Sequence, residues 1–303
     1  MAVTVTNAPI NLIGDKLAVQ QNLSVDDLAP FAMSLGASTA GGNSAQLGDT
    51  VKVPIYSASG DAVDWNSSSQ NYGTVNGTQG VVFKDVAIDQ RILKTIEIDE
   101  MDLFKVDVAP LLSLELENVA RTAVDRVMAL VTPTNFATTI TVPIASNFDS
   151  SKVIDLRSED QVRKYNSAMR KLALNVDYSI ALQQDPVINN HNTLSPVDLP
   201  SNVILNSFSK FGGGLYECEN MTSANAVVGF VTNGNGIAIA TPSSYQSNDP
   251  STTFEQTTVS YNGWDFLLRR TKDTNTGAVR FTIELQFGFA VADELGICPL
   301  ISA

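Results

Sequence analysis

Histidine is almost missing from this chain. A single His191 stands among 303 residues, inside the polar segment Asn189-Asn190-His191-Asn192-Thr193. One imidazole excludes metal sites built on paired histidines and any two-histidine chemistry, and His191 reads as a solvated loop residue. Only two cysteines occur, Cys218 and Cys298. That is too few and too scattered for a disulfide framework or a thiolate metal motif, so both read as idle thiols. Positive charge is scarce as well: 19 Lys and Arg face 32 Asp and Glu, a net charge of −13. A protein that gains affinity by neutralising phosphates is thereby excluded at the level of the whole chain. No run approaches the roughly 18 apolar residues of a membrane span, and Met1 to Pro9 shows no basic start followed by an apolar stretch. A soluble, unexported chain is the expectation.

Motifs that carry chemistry are missing too. The nearest approach to a nucleophile elbow, Gly36-Ala37-Ser38-Thr39-Ala40, lacks the final glycine and follows no convincing strand. Gly212-Gly213-Gly214 and Gly234-Asn235-Gly236 lead neither to a helix start nor to the Lys-Ser/Thr of a phosphate loop, so they read as turns. Glu97, Asp99, Glu100 and Asp102 lack the spacing and central glycine of a calcium loop, and read as a solvated strand end. Asn22, Asn66, Asn76 and Asn220 open Asn-x-Ser/Thr triplets that matter only in a secretory compartment. No catalytic residue, cofactor site or metal site is assigned, which leaves a structural or binding role.

What the chain does contain is pattern. Its length suggests about two domains, and 44% hydrophobic with 17% charged residues is an ordinary globular balance. Residues 1 to about 46 hold one short helical stretch, Ser24 to Ala29, cut by Pro30, and read as an extended arm. Leu47 to Ile55 is strand-like, with Val51, Val53 and Ile55 on one face and Pro54 suggesting an edge. Residues 57–80 have loop composition, with Trp65 and Tyr72 as their only large side chains. Strand pattern returns with Val86, Ile88, Ile92, Ile96 and Ile98 opposite Asp85, Asp89, Arg91, Glu97 and Asp99. Together these segments predict a long hairpin with a protruding tip. So long a loop makes sense where its tip reaches another molecule.

A long helix is expected from Asp107 as N-cap, with Pro110 in the first turn, to about Val131 before Pro133. Leu112, Leu116, Val119, Ala120, Ala123, Val127 and Leu130 form its apolar face. Ser158-Glu159-Asp160-Gln161 predicts a second helix, with Val162, Tyr165, Met169 and Leu172 inward. Strand-like pieces follow at 178–182, 203–205, 226–231 and 237–240. The end of the chain reads as a hairpin from Trp264 to Phe287 that turns at Asp273 to Gly277. No repeat and no strict strand–helix alternation occurs, so the fold class is α+β.

The order of these parts resembles the major capsid proteins of tailed phages. The resemblance rests on Gly48-Asp49-Thr50-Val51-Lys52-Val53-Pro54 entering the extended loop, on the helix 107–131, and on Phe211-Gly-Gly-Gly-Leu215-Tyr216-Glu217. Gly236-Ile-Ala-Ile-Ala240 and Phe287-Gly-Phe-Ala-Val-Ala-Asp-Glu-Leu-Gly-Ile297 complete it. The family implies an N-terminal arm (1–30) and a peripheral domain with a spine helix (31–49, 81–132 and 251–303). It also implies an extended loop (50–80) and an inserted axial domain (133–250). Trp65 and Tyr72 are the candidate intersubunit anchors, because large aromatics in a polar loop suit a partner's pocket.

The function implied is self-assembly into pentamers and hexamers of an icosahedral shell around double-stranded DNA. The implied partners are the chain itself, a scaffolding protein, a portal protein and a decoration protein, with no membrane. About 46 residues before the extended loop are too few for a fused scaffold, so the scaffold is expected to be separate. Assembly is expected in the host cytoplasm and residence in the virion. Residues 85–125 hold ten acidic and four basic residues, a net −6, suited to a shell lining that does not stick to DNA. Covalent crosslinking is not expected, since the loop tip has no lysine between Lys52 and Lys84. The alternatives are an encapsulin-like cellular compartment, an extracellular β-rich binding module and, last, a hydrolase using His191.

Overall fold

The computed structural model describes residues 32–36, 45, 47–56, 81–99, 102, 105, 107–165, 170–185, 214–217, 221, 227–234, 236–242, 254–261, 264–272 and 277–303. The architecture is α+β, with three sheets and one long helix. The largest sheet is organised by β12 (Val279–Val291), thirteen residues long. Val279, Phe281, Ile283, Leu285 and Phe287 alternate into the core, which leaves Arg280, Thr282, Glu284 and Gln286 on the opposite face. Strand β4 (Gln90–Ile98) runs antiparallel along one side of β12 and β11 (Trp264–Lys272) along the other, with β10 (Phe254–Tyr261) beyond β11. Past Phe287, β12 changes partner and pairs with β9 (Ile237–Ala240), which β1 (Ala32–Gly36) joins in parallel.

Gly288 stands at that change of partner. A Cβ there would lie 1.9 Å from the Ala87 carbonyl oxygen, so only glycine lets the 87–88 backbone cross β12 so closely. The long helix α1 (Val108–Met128) covers the core face of this sheet. Its Asp107 cap forms as expected, the carboxylate accepting from the Ala109 N–H at 3.1 Å. Leu112, Leu116, Val119, Ala120, Ala123 and Val127 are all buried, while Leu130 lies past the helix end and is half-buried against the same core. At about 1.5 Å per residue the helix is about 31 Å long.

The second sheet has the order β5-β13-β8-β6-β7. Its strands are β5 (Ile140–Val142), β6 (Lys171–Leu174), β7 (Gly214–Glu217), β8 (Val227–Thr232) and β13 (Ile297–Ser302). One face packs under helices α2 (Ser150–Leu156), α3 (Asp160–Lys164) and α4 (Val176–Gln184), around Val153, Leu156, Val162, Tyr178 and Leu182. The other face sends Ala173, Phe230 and Ile297 into the core beneath α1. Coverage on both faces explains why β8 is buried along its whole length instead of alternating.

Two local expectations fail here. The segment Tyr178 to Leu182 is helix α4, not strand: the Asn175 side chain caps it by accepting from the Tyr178 N–H, and Tyr178 and Leu182 face inward at helical spacing. Ser158 does not cap the second helix either. Its hydroxyl donates to the Asp155 carbonyl, Glu159 is the N-cap without a side-chain bond, and α3 ends at Lys164. Leu172 is buried as expected, but from strand β6.

The third element is a ribbon of β2 (Thr50–Tyr56) and β3 (Val81–Ala87), antiparallel from Thr50↔Ala87 to Tyr56↔Val81. Val51, Val53 and Val86 pack on Ala238 and Ala240 of β9. The expected hairpin is thus real at its base. It stops near Ile88, where the chain leaves the ribbon and enters the large sheet as β4.

Candidate functional site

Three features can meet other molecules or set the shape of this one. The ribbon is the first. Val82 and Phe83 are 55% and 58% exposed on its two faces. Phe83 stands opposite Pro54, and Lys52 opposite Asp85. A two-stranded ribbon is marginal in water by itself, and large apolar residues on both of its faces add exposed area that a partner can cover. Sequence reasoning missed this pair because it sought the anchors among the large aromatics of 57–80. The candidate anchors Trp65 and Tyr72 lie beyond the ribbon, outside the described residues, as do His191, Cys218, Asn66 and Asn76.

The second feature is a polar line across the large sheet, on the face opposite α1. Glu284 is 1% exposed. Arg91 grips it at two points, Nε to Oε1 at 2.8 Å and Nη2 to Oε2 at 2.9 Å, and Arg269 Nη1 lies 3.9 Å away. Beside it Thr95 and Thr282 share a hydrogen bond of 3.0 Å, and Arg280 Nε donates to Glu97 Oε2 at 2.8 Å. These contacts fix the register of β4 on β12 with charged and polar side chains where the other face uses Ile and Phe. They also employ part of the acidic cluster: Glu97 holds Arg280, and Asp102 holds Lys105 at 3.2 Å. On the helix side Lys94 lies 3.8 Å from Glu115, and Arg126 donates to Gln90 at 2.9 Å, which ties α1 to β4. Among the described residues no three His, Cys, Asp or Glu side chains gather as metal ligands, and no helix is long and apolar enough to cross a membrane.

The third feature lies where the end of α3 meets the second sheet and the turn before β13. Tyr165, at the end of α3, donates its hydroxyl to the Leu295 carbonyl at 2.6 Å, and the buried Cys298 thiol lies 3.2 Å from the same oxygen. The phenol has one proton and gives it to Leu295, so the thiol donates to the phenol oxygen. Burial raises the pKa of both groups above their ordinary values, so both stay protonated.

The fold as a whole aligns with solved shell proteins. The capsid of Cyanophage P-SCSP1u aligns with a TM-score of 0.56 at 11% identity, over 89% of this chain and 86% of that one. The capsid of a native GTA particle aligns at 0.53 and 14% identity, over 94% and 93%. The chain has a phage-capsid fold. The same fold extends to a virus-like particle from Pyrococcus furiosus, at a TM-score of 0.50 and 8% identity, over 96% and 97% of the two chains. No family model and no curated protein matches the chain by sequence.

Proposed function

We propose that this chain is the major capsid protein of a tailed double-stranded DNA phage, a structural subunit that closes with its copies into an icosahedral shell. The observation that supports this most is the coverage of the fold: near-complete alignment with capsid chains of comparable length, in both directions. In this reading residues 31–49, 81–132 and 251–303 form the peripheral domain, 50–80 the extended loop, and 133–250 the axial domain around pentamer and hexamer centres. The 57–80 tip, with Trp65 and Tyr72, lies across a neighbouring copy. Many modest contacts then become collectively stable through symmetry. A separate scaffolding protein, a portal and a decoration protein complete the set of partners, in the host cytoplasm and then in the virion.

The test is negative-stain electron microscopy with size-exclusion chromatography, on the chain expressed alone and with its neighbouring genes. Closed shells that need a neighbouring gene support the reading, with aberrant particles from the chain alone. A monomer of about 32 kDa under every condition sinks it. A second reading, a cellular compartment shell, is favoured by the alignment with the Pyrococcus furiosus particle. Particle contents separate the two, since DNA absorbs at 260 nm and a protein cargo appears on a denaturing gel.

A further inference from the structure

In the order of its described elements the chain passes between the two sheets three times: from α1 to β5, from β8 to β9, and from β12 to β13. All three passages meet at one turn, Ala292 to Gly296. From the first passage, the Ala137 N–H donates to the Glu294 carbonyl at 3.1 Å. From the second, the Asn233 N–H and the Thr232 hydroxyl both donate to the Gly296 carbonyl, at 3.2 and 3.0 Å, and the Ala292 N–H donates to the Gly236 carbonyl at 2.9 Å. Gly236 has no room for a Cβ, because Ile297 would lie 2.2 Å from it. The turn closes on itself through Asp293, which accepts from the Leu295 and Gly296 N–H groups. Helix α3 reaches in as well, with Gln161 and Tyr165 both donating to the Leu295 carbonyl.

A joint through which every connection passes decides the angle between the parts it connects. Distant contacts can add stiffness, but a rotation of one sheet against the other has to move this turn. We infer that the turn Ala292–Gly296, held by Tyr165 and Thr232, sets the angle between the two sheets and thereby the curvature of the assembled shell. The curvature part rests on the shell reading above; the joint itself does not. Tyr165 and Thr232 act here as positioning residues. Both are buried and each bonds a carbonyl of the turn, and Thr232 also accepts from the Gly234 N–H at 3.0 Å. Ile297 and Phe230 beside the joint belong to the core beneath α1, so a shift at the turn is transmitted to the packing under the helix.

The test uses the full chain with Tyr165→Phe and, separately, Thr232→Val, both close in shape to the original side chains. Tyr178→Phe is the control. Tyr178 is a buried tyrosine against the same sheet that donates to the Pro143 carbonyl at 2.9 Å, away from the turn. Amide hydrogen exchange on the unassembled chain is read at Ala137, Asn233 and Ala292, and particle diameters are read by electron microscopy. The expected result is about tenfold faster exchange at those amides in both variants, with a wider spread of diameters than in the unaltered chain or in Tyr178→Phe. Unchanged exchange overturns the joint. Faster exchange with the same diameters as the control overturns its link to curvature. If the unaltered chain forms no particles with its neighbouring genes, the shell reading and the curvature link fail together, and exchange alone decides the joint.

Discussion

The two sheets solve the same packing problem in different ways. The large sheet is built around the long strands β4, β10, β11 and β12, paired in long unbroken registers: β4 meets β12 over nine residue pairs from Val279↔Ile98 to Phe287↔Gln90. It hides one face under a single helix and leaves polar side chains on the other. The second sheet takes strands of three to six residues from places far apart in the chain and covers both faces. Long registers make the large sheet tolerant of a weak position, because neighbouring pairs hold the strand in place. Short strands give the second sheet little such redundancy, and its stability depends on a shared core and on the turn at 292–296.

This contrast can be broken first at its sharpest point. Gly288→Val puts a branched side chain where a Cβ already falls 1.9 Å from the Ala87 oxygen. The expected cost is at or above the roughly 3 kcal/mol top of the usual overpacking range, seen as loss of soluble protein or a large fall in Tm. Next, Leu300→Ala in the second sheet and Leu112→Ala under α1 each remove a fully buried leucine, at about 2–5 kcal/mol. The comparison predicts the larger loss for Leu300→Ala in denaturant unfolding, since β13 has few residue pairs to hold it. Equal losses would remove the claim that the second sheet lacks redundancy.

Smaller effects sharpen the account. Glu284→Gln leaves Arg91 and Arg269 without their carboxylate, at about 2 kcal/mol; a fully buried pair costs 3–5 kcal/mol, but both guanidinium groups reach water. The loss is expected with α1 and the second sheet intact by near-ultraviolet circular dichroism. Smallest is a pH effect at the joint. Burial raises both the Cys298 thiol and the Tyr165 hydroxyl. The unfolded chain therefore loses these protons first, at about pH 8.5 and about pH 10, and stability declines as pH rises through that window. A scan of Tm against pH checks this: the decline should flatten in Tyr165→Phe combined with Cys298→Ala, and an equally steep decline would remove both groups from the account.

Much of the large sheet was legible in the sequence, because its residues alternate or recur over long stretches. The Asp107 cap, the apolar face of α1, the alternation of β12 and the hairpin base at Val51 and Val53 all follow from local pattern. The second sheet was less legible for a physical reason. A strand buried on both faces, such as Leu172-Ala173-Leu174, has no alternation to read, and Tyr178 to Leu182 satisfies a strand template as well as a helix until Asn175 is seen to cap it. The ribbon was legible as a shape, but Phe83 was not, since exposure of an apolar strand residue depends on what lies above it. Glu284 was hidden for the opposite reason: an alternating polar position normally faces water, and only Arg91 and Arg269 on adjacent strands make burial tolerable. The role of the turn 292–296 could not be read at all, because its partners come from three distant segments.

Strand β13 lies between β5 and β8, not at an edge. During synthesis β5 is made more than a hundred residues before it, and it waits without its neighbour until residue 302 has left the ribosome. A chain released early would carry a complete α1 and ribbon but an open second sheet, with β5 and β8 offering bare edges. Strand β13 thus completes the second sheet only after both strands that flank it have been made.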